Sequence, residues 1–189
     1  VLRVLGRVAS DLRLAELAVD LFTMWVRKEP HRPEPFVHLA RAMGDAGRLD
    51  DAVGLLQEVI PEHSSVAKLW TVLGTLVSNR DGFEAALPFF EEATRLAPER
   101  ASVWSNLGRA LEHLGLMDQA VEASARAVEL QPSNAMARMG LGLLRLGKGD
   151  FHQGWRDYRA RLDPTAPDYW TSDFGTAARP EVWDGGDVS

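Results

Sequence analysis

A period of 34 residues in the middle of the chain constrains the fold more than any other feature. Two segments, beginning at Ala67 and Ala101, align without gaps. Chains with a period of this length stack short helical units, because one helix pair cannot bury its apolar face without a neighbour. The residues that recur 34 positions apart are Trp70 and Trp104, Leu73 and Leu107, Gly74 and Gly108, Ala86 and Ala120, and Pro98 and Pro132.

Weaker copies of the pattern lie on both sides of these two segments. Ala40 and Gly6 precede Gly74 by one and two periods, and Gly142 follows Gly108 by one period. The period therefore extends over most of the chain. We predict five helix-pair units, which cover about residues 1–32, 33–66, 67–100, 101–134 and 135–162.

The pattern within one period resembles the tetratricopeptide repeat (TPR), W-x2-L-G-x2-Y, A-x3-F, P. The resemblance covers about residues 1–162 and implies an all-α fold, a right-handed superhelix (α-solenoid) of antiparallel helix pairs, A and B. It also implies that Gly74 and Gly108 of helix A face Ala86 and Ala120 of helix B. The third unit matches the pattern at Trp70, Leu73, Gly74, Ala86, Phe90 and Pro98.

Local departures from the pattern predict local changes in the helices. Pro61 comes three residues early, so helix B of the second unit should be short. Pro88 lies inside a helix B, where proline costs about 3 kcal/mol. Asp81 and Glu84 have capping-box spacing at the start of that helix, so we expect a kink rather than a break. Trp25 replaces a small residue, and we expect it to fill space left by a truncated first helix.

The helical pattern stops at Asp163, and residues 163–189 predict an irregular segment that leads toward a missing domain. Disordered tails are poor in aromatic residues. We therefore expect this segment to dock on the last helices, with a flexible linker as the alternative. Its aromatic residues are Tyr169, Trp170, Phe174 and Trp183.

A longer motif spans the end of the repeats. It reads Gly149-Asp150-Phe151-x-x-Gly154-Trp155-x-x-Tyr158-x-x-Arg161, followed by Arg179-Pro180-x-x-Trp183-Asp184-Gly185. It is similar to bacterial proteins in which TPR units precede a heptosyltransferase-like glycosyltransferase domain, some of which modify flagellin. The resemblance implies a non-catalytic, substrate-recruiting part of such an enzyme, with the catalytic domain beyond residue 189. The alternative is a self-standing scaffold that assembles partners or homo-oligomers.

Charge and composition narrow the class of partner. The net charge of −6 argues against nucleic acid, whose binding needs clustered Lys and Arg. No apolar run approaches the roughly 20 residues that span a bilayer. The chain has no cysteine, which excludes disulfides and thiol chemistry and fits a cytoplasmic protein. We expect a protein or peptide partner, with no nucleic acid and no membrane, and self-association stays open.

The sequence predicts neither a catalytic centre nor a metal or cofactor site. The five histidines lack metal-ligand spacing. Gly142-x-x-x-x-Gly147-Lys148 lacks the Ser or Thr of a phosphate-binding loop, so we interpret Gly142 as the repeat glycine of the fifth unit. The acidic pairs Asp50-Asp51 and Glu91-Glu92 are expected on outer helix faces as solvated charge.

The TPR resemblance implies that the A helices line a concave groove, with positions 2, 5, 9, 12 and 13 of each unit pointing into it. The groove should change from charged, through small hydroxyls, to apolar. The apolar end predicts either a docking patch for a partner helix or a surface covered by the C-terminal segment or next domain. The implied residues are Arg3, Arg7, Asp11, Glu34, Val37, Arg41, Asp45, Lys68, Thr71, Thr75, Ser78, Asn79, Ser102, Ser105, Arg109, Glu112, His113, Met136, Met139, Leu143 and Leu146.

Two specialised TPR types fit the chain poorly. The type that grips a C-terminal carboxylate needs Asn where His38 and Val72 stand. The type that grips a peptide backbone carries a ladder of Asn, of which only Asn106 is present. Recognition in this groove is therefore expected to depend on the pattern of its side chains.

Overall fold

The computed structural model describes residues 1–162 as an all-helical chain without β-strands. The predicted C-terminal segment, residues 163–189, lies outside the described residues, and so does the second half of the junction motif. Short 3-10 helices occur at Ile60–Glu62 and Arg159–Leu162. The ten α-helices are α1 (Leu2–Asp11), α2 (Ala15–Lys28), α3 (Pro33–Asp45), α4 (Leu49–Val59), α5 (Ala67–Asp81), α6 (Phe83–Leu96), α7 (Ala101–His113), α8 (Met117–Leu130), α9 (Ala135–Gly147) and α10 (Phe151–Tyr158).

Each helix packs against the next one along the chain, and α3 also contacts α5. The predicted all-α solenoid is therefore confirmed. Its largest apolar core runs through α3, α4, α5 and α6, where Leu56, Leu69 and Phe90 are fully buried. Within residues 1–162 no helix is both long and apolar enough to cross a membrane.

In the third and fourth helix pairs, a glycine of the first helix lies directly against the second helix. A Cβ added at Gly74 would lie 2.8 Å from Cε1 of Phe90, and one at Gly108 would lie 2.6 Å from Oγ of Ser124. Ala86 is fully buried beside this crossing. The atoms nearest to an added Cβ at Gly74 thus belong to the ring of Phe90. Phe90 lies one helical turn after Ala86, which was the predicted neighbour.

Pro61 shortens the second unit as predicted. Helix α4 has 11 residues, whereas α2, α6 and α8 have 14. It ends at Val59 and continues into the 3-10 turn that contains Pro61. Helix α6 continues unbroken across Pro88 from Phe83 to Leu96.

The predicted capping box of α6 is wrong. Asp81 is the last residue of α5, and its carboxylate accepts from the guanidinium of Arg80 at 2.8 Å. The residue that precedes α6 is Gly82, and the helix has no side-chain cap. Because Gly82 is the N-cap, Glu84 stands at the second helical position rather than the third, where a capping box places its acidic residue.

Trp25 is buried within the first pairs, as expected for a residue that fills space. Its ring lies 6.3 Å from that of Phe22 and 5.6 Å from that of His38 in α3. At the other end, Gly142 lies inside α9, and an added Cβ would come 2.9 Å from the carbonyl oxygen of Gly154. The interpretation of Gly142 as a repeat glycine is therefore confirmed.

Candidate protein-binding groove

The candidate site extends along the first helices of the five pairs, α1, α3, α5, α7 and α9. On these helices Glu34, Thr75 and Ser105 are partly buried, and Thr71 is buried. Among the apolar positions, Val37 and Met139 are buried, and Leu143 is exposed. Further predicted groove residues are exposed, namely Arg3, Arg7, Arg41, Asp45, Lys68, Asn79, Arg109, Glu112 and His113.

The small hydroxyls in the middle of the groove bond to their own helices. Thr71 Oγ1 donates to the carbonyl of Ala67 at 2.9 Å, and Thr75 Oγ1 donates to that of Thr71 at 3.0 Å. Ser105 Oγ donates to the carbonyl of Ala101 at 3.2 Å. Their donors are engaged within the helix, so the partly buried hydroxyls of Thr75 and Ser105 have acceptor capacity left for a partner.

The N-terminal end of the groove is rich in cations. Arg3 lies 3.4 Å from a carboxylate oxygen of Glu34, which ties α1 to α3, and Arg32 lies 3.6 Å from the other oxygen. Burial, and then the charge of Arg41, lowers the pKa of the Lys68 ammonium, while Glu34 opposes the shift. The ammonium therefore lies in a positive local field, since a neighbouring like charge disfavours the charged form.

His38 lies in the same positive field. Its ring is partly buried against Phe22, at 5.2 Å between ring centroids. Burial is the largest cause that lowers the pKa of His38, followed by the charge of Lys68. Both effects favour the neutral imidazole.

A cleft of about 440 Å³ lies between α7, α8 and α9 at the C-terminal end of the groove. Its lining combines opposite charges, two amides and apolar side chains. Such a mixture suits a peptide, which needs both hydrogen-bond partners and apolar contacts. The predicted groove residues in its wall are Ser105, Arg109, Glu112, Met136 and Leu143.

Two polar residues of this cleft were not predicted from the sequence. Asn134 and Ser124 also line it, and neither follows from the groove positions of the repeat. Asn134 stands before α9, where its side chain accepts from the amide of Ala137 at 3.1 Å. An Asn immediately before an apolar helical run is a recognisable N-cap signal, so this residue could have been found. Ser124 carries no such signal.

His113 and Asp45 are the last residues of α7 and α3, and neither lines this cleft. The His113 ring stacks on Phe83 of α6, with 4.1 Å between centroids and 9° between planes. One face of this imidazole is therefore covered. Asp45 borders a second recess of about 350 Å³ together with Ser10 and Arg13.

A further surface at the N-terminal end of the solenoid was not predicted. Helix α1 exposes Leu5 and Val8, and Leu12 directly follows the helix; these residues have 49%, 47% and 65% of their surface accessible. The spacing of three residues places Leu5 and Val8 on one helix face. Leu14, directly before α2, and Leu17 within α2 are also exposed, and these five apolar residues are called here the N-terminal apolar face.

The described residues hold no group of three His, Asp or Glu side chains that could bind a metal ion. Three of the four carboxylates in the predicted acidic pairs form ion pairs at the surface. Asp50 lies 3.0 Å from Arg80, Asp51 lies 2.9 Å from Arg48, and Glu92 lies 2.7 Å from Arg95. These carboxylates are therefore surface charges that are paired with arginine side chains.

Comparison with known proteins gives the same architecture. The Tetratricopeptide repeat family profile matches residues 72–135 and 117–167, together just over half of the chain. A crystal structure of a thermophilic TPR protein from Thermus thermophilus aligns with a TM-score of 0.70 at 22% identity. The alignment covers 85% of this chain and 88% of that one.

Two curated proteins are similar over most of this chain. Protein FlbA of Caulobacter vibrioides is 29% identical over 167 residues, which cover 87% of this chain and 28% of FlbA. Human protein O-mannosyl-transferase TMTC1 is 25% identical over 172 residues, which cover 89% of this chain and 19% of TMTC1. This chain thus spans less than a third of either relative.

Proposed function

The chain belongs to the tetratricopeptide-repeat family, and on that premise we propose that it recruits the acceptor protein of a bacterial protein glycosyltransferase. The acceptor, a flagellin-type protein, lies along the groove of α1, α3, α5, α7 and α9. Sugar transfer belongs to a catalytic domain beyond residue 189. The observation that carries the proposal is the cleft between α7, α8 and α9.

The chemistry of the cleft supports a peptide as its occupant. Arg109 and Glu112 provide opposite charges on neighbouring positions of α7. Asn106 provides an amide group that can donate and accept hydrogen bonds, and Asn134, whose oxygen caps α9, provides an amide donor. Leu143, with 46% of its surface accessible, provides an apolar contact. A peptide segment with one apolar side chain between polar groups matches these three features.

The link to sugar transfer has two independent supports. The Gly154-Trp155-x-x-Tyr158 and Trp183-Asp184-Gly185 junction resembles that of TPR-linked glycosyltransferases. TMTC1, to which this chain is similar over 172 residues, is a protein O-mannosyl-transferase. The matched residues cover 19% of TMTC1, so a region similar to this chain forms part of a protein O-mannosyl-transferase.

Direct binding of an unglycosylated flagellin tests the proposal. We expect the 189-residue chain to bind purified flagellin in isothermal titration calorimetry, and Arg109→Glu to weaken binding about tenfold or more. The control is Arg27→Glu on α2, an equal change of charge on a second helix of a pair. Flagellin that is not bound, or that is bound equally by Arg109→Glu, would contradict recruitment through this groove.

A second candidate function is a scaffold that assembles homo-oligomers through the N-terminal apolar face. Leu5 and Val8 on α1 and Leu12 directly after it are exposed at coiled-coil spacing, and such a surface can pair with its own copy about a two-fold axis. Sedimentation equilibrium distinguishes the candidates. A dimer that Leu5→Glu with Leu12→Glu converts to monomer supports assembly, and a native monomer at high micromolar concentration excludes it.

A further inference from the structure

We infer that the exposed apolar surface at the C-terminal end of the solenoid is covered by the chain's own C-terminal segment, residues 163–189. This surface, called here the C-terminal apolar face, consists of Phe151 and Trp155 on α10 and Leu162 in the 3-10 turn that follows. Their accessible fractions are 63%, 48% and 45%. The inference identifies the surface for the docking that the sequence predicts, and it does not depend on what the groove binds.

The repeat register shows that an inner helix pair has this face covered. Val53 of the second pair occupies the position of Trp155, and it is buried in one core with Leu76 of α5, the first helix of the next pair. Ile60 occupies the position of Leu162 and is buried in the same core. The C-terminal apolar face therefore consists of positions that a following element covers elsewhere in the solenoid.

The C-terminal segment starts within reach of this face. Helix α10 ends at Tyr158 after 8 residues, whereas α2, α6 and α8 have 14. Eight residues make a helix about 12 Å long, at about 1.5 Å per residue. An extended chain from Leu162 to Tyr169 spans up to about 25 Å. The residues that follow Tyr169 can therefore return to any part of α10.

The C-terminal segment offers aromatic side chains to this face rather than a sixth helix pair. Gly175 stands one period after Leu141, which is buried in α9, so a further first helix would lack that apolar contact. The large side chains occur instead in a short aromatic run, Tyr169, Trp170 and Phe174. An aromatic side chain buries about 150–250 Å², so this run can cover the exposed parts of the face.

Charge favours the same contact. Arg156, which follows Trp155 in the chain, and Arg159 are exposed. Asp168 and Asp173 flank the aromatic run, and residues 163–189 carry six acidic side chains and one basic side chain. Docking of the run on α10 brings carboxylates toward these two guanidinium groups, and opposite charges attract at the rim of the contact.

Photo-cross-linking in the 189-residue chain tests the inference. The photoreactive amino acid p-benzoylphenylalanine replaces Phe151, which is exposed, so the added ring enters no core. Mass spectrometry after irradiation and digestion should locate the link within one chain, on residues 168–174. The matched control replaces Met24 on α2, an apolar residue with 54% of its surface accessible, and should give no link to residues 163–189.

A third position shows that the photochemistry works. The ring of Phe83 on α6 stacks on His113 with 4.1 Å between centroids, so the same amino acid at this position should link α6 to α7. With that link observed, the absence of a link from position 151 to residues 163–189 overturns the inference. A link from position 151 to a second chain assigns the face to another copy and overturns it as well.

Hydrogen exchange gives a second readout without a photoreactive group. A docked segment protects the amides of α10, so Trp170→Ser with Phe174→Ser should make them exchange several-fold faster and leave α5 unchanged. The control, Thr171→Ala with Ser172→Ala, changes residues within the same stretch and should keep the native exchange of α10. Equal exchange of α10 in the native chain and in the aromatic double variant refutes the docking.

Discussion

The backbone of Gly74 lies directly against the ring of Phe90, so that an added Cβ would come 2.8 Å from Cε1. Phe90 is fully buried in the largest core, and its ring has little room to move away. We predict that Gly74→Ala lowers the free energy of unfolding by about 1–3 kcal/mol, because overpacking forces the ring or the helix to shift. Urea denaturation measures this change.

Gly54 provides the matched control. It lies inside α4, and an added Cβ would meet nothing within 4 Å. Gly54→Ala should therefore raise the free energy of unfolding by about 0.5–1 kcal/mol, since alanine restricts the unfolded chain more than glycine does. Equal effects at Gly74 and Gly54 would show that the crossing tolerates a side chain.

Trp70 joins the start of its helix to the preceding loop. Its Nε1 donates to the carbonyl of Ser64 at 2.7 Å, and Trp104 Nε1 donates in the same way to Pro98 at 2.8 Å. Trp70→Phe keeps an aromatic ring and removes the donor, so we expect a loss of about 1 kcal/mol in the free energy of unfolding.

The control for Trp70 is Trp155→Phe on α10. Trp155 leaves 48% of its surface exposed and contacts Tyr158 edge to face. This substitution should change the free energy of unfolding by less than about 0.5 kcal/mol. If Trp70→Phe is equally mild, the indole donor does not hold the loop.

Asp157 and Arg145 form an ion pair between α10 and α9, with 18% and 21% of their side-chain surface exposed. Asp157→Asn leaves a partly buried guanidinium without its counter-charge. We expect it to lower the free energy of unfolding by about 1–3 kcal/mol, measured by thermal and urea denaturation. Glu129→Gln removes the exposed pair with Arg126 within α8 and should cost less than about 1 kcal/mol. A ranking in the opposite order would contradict the prediction.

The repeat period predicted the fold because it records which positions must be small or apolar at every crossing. The early end of α4 was also predictable, because Pro61 cannot continue a helix. The start of α6 was harder to predict. A spacing of three between Asp81 and Glu84 is compatible with a capping box, but Arg80 binds Asp81 and Gly82 takes the N-cap position. The spacing of residues along the chain does not show which donor a carboxylate such as that of Asp81 will bind.

Some of the residues that line the cleft follow from the repeat register, whereas their side-chain contacts do not. Repeat register located Arg109 and Glu112, which line the cleft. It gave no indication that Thr71 donates to its own helix or that His113 stacks on Phe83, 30 residues earlier. Hydrogen bonds and ring contacts depend on side-chain directions and on neighbouring units. A single period does not contain that information.

We predict that His38 makes the stability of the chain dependent on pH near neutrality. Burial against Phe22 and Trp25, followed by the charges of Lys68, Arg41 and Arg3, lowers the pKa of His38, and Glu34 partly opposes the shift. The unfolded chain therefore binds more protons than the folded chain once the pH falls below about 6.5. The free energy of unfolding is highest above that pH and decreases as the pH falls through the pKa of folded His38.

Urea denaturation at pH 7.5 and pH 5.5 measures this dependence. His38→Gln removes the titrating group, so the difference between the two pH values should become smaller, whatever the substitution does to packing. The control is His152→Gln, which changes an exposed histidine of α10 and should keep the native difference. The assignment fails if His38→Gln retains the full difference, because the proton uptake then occurs on another group.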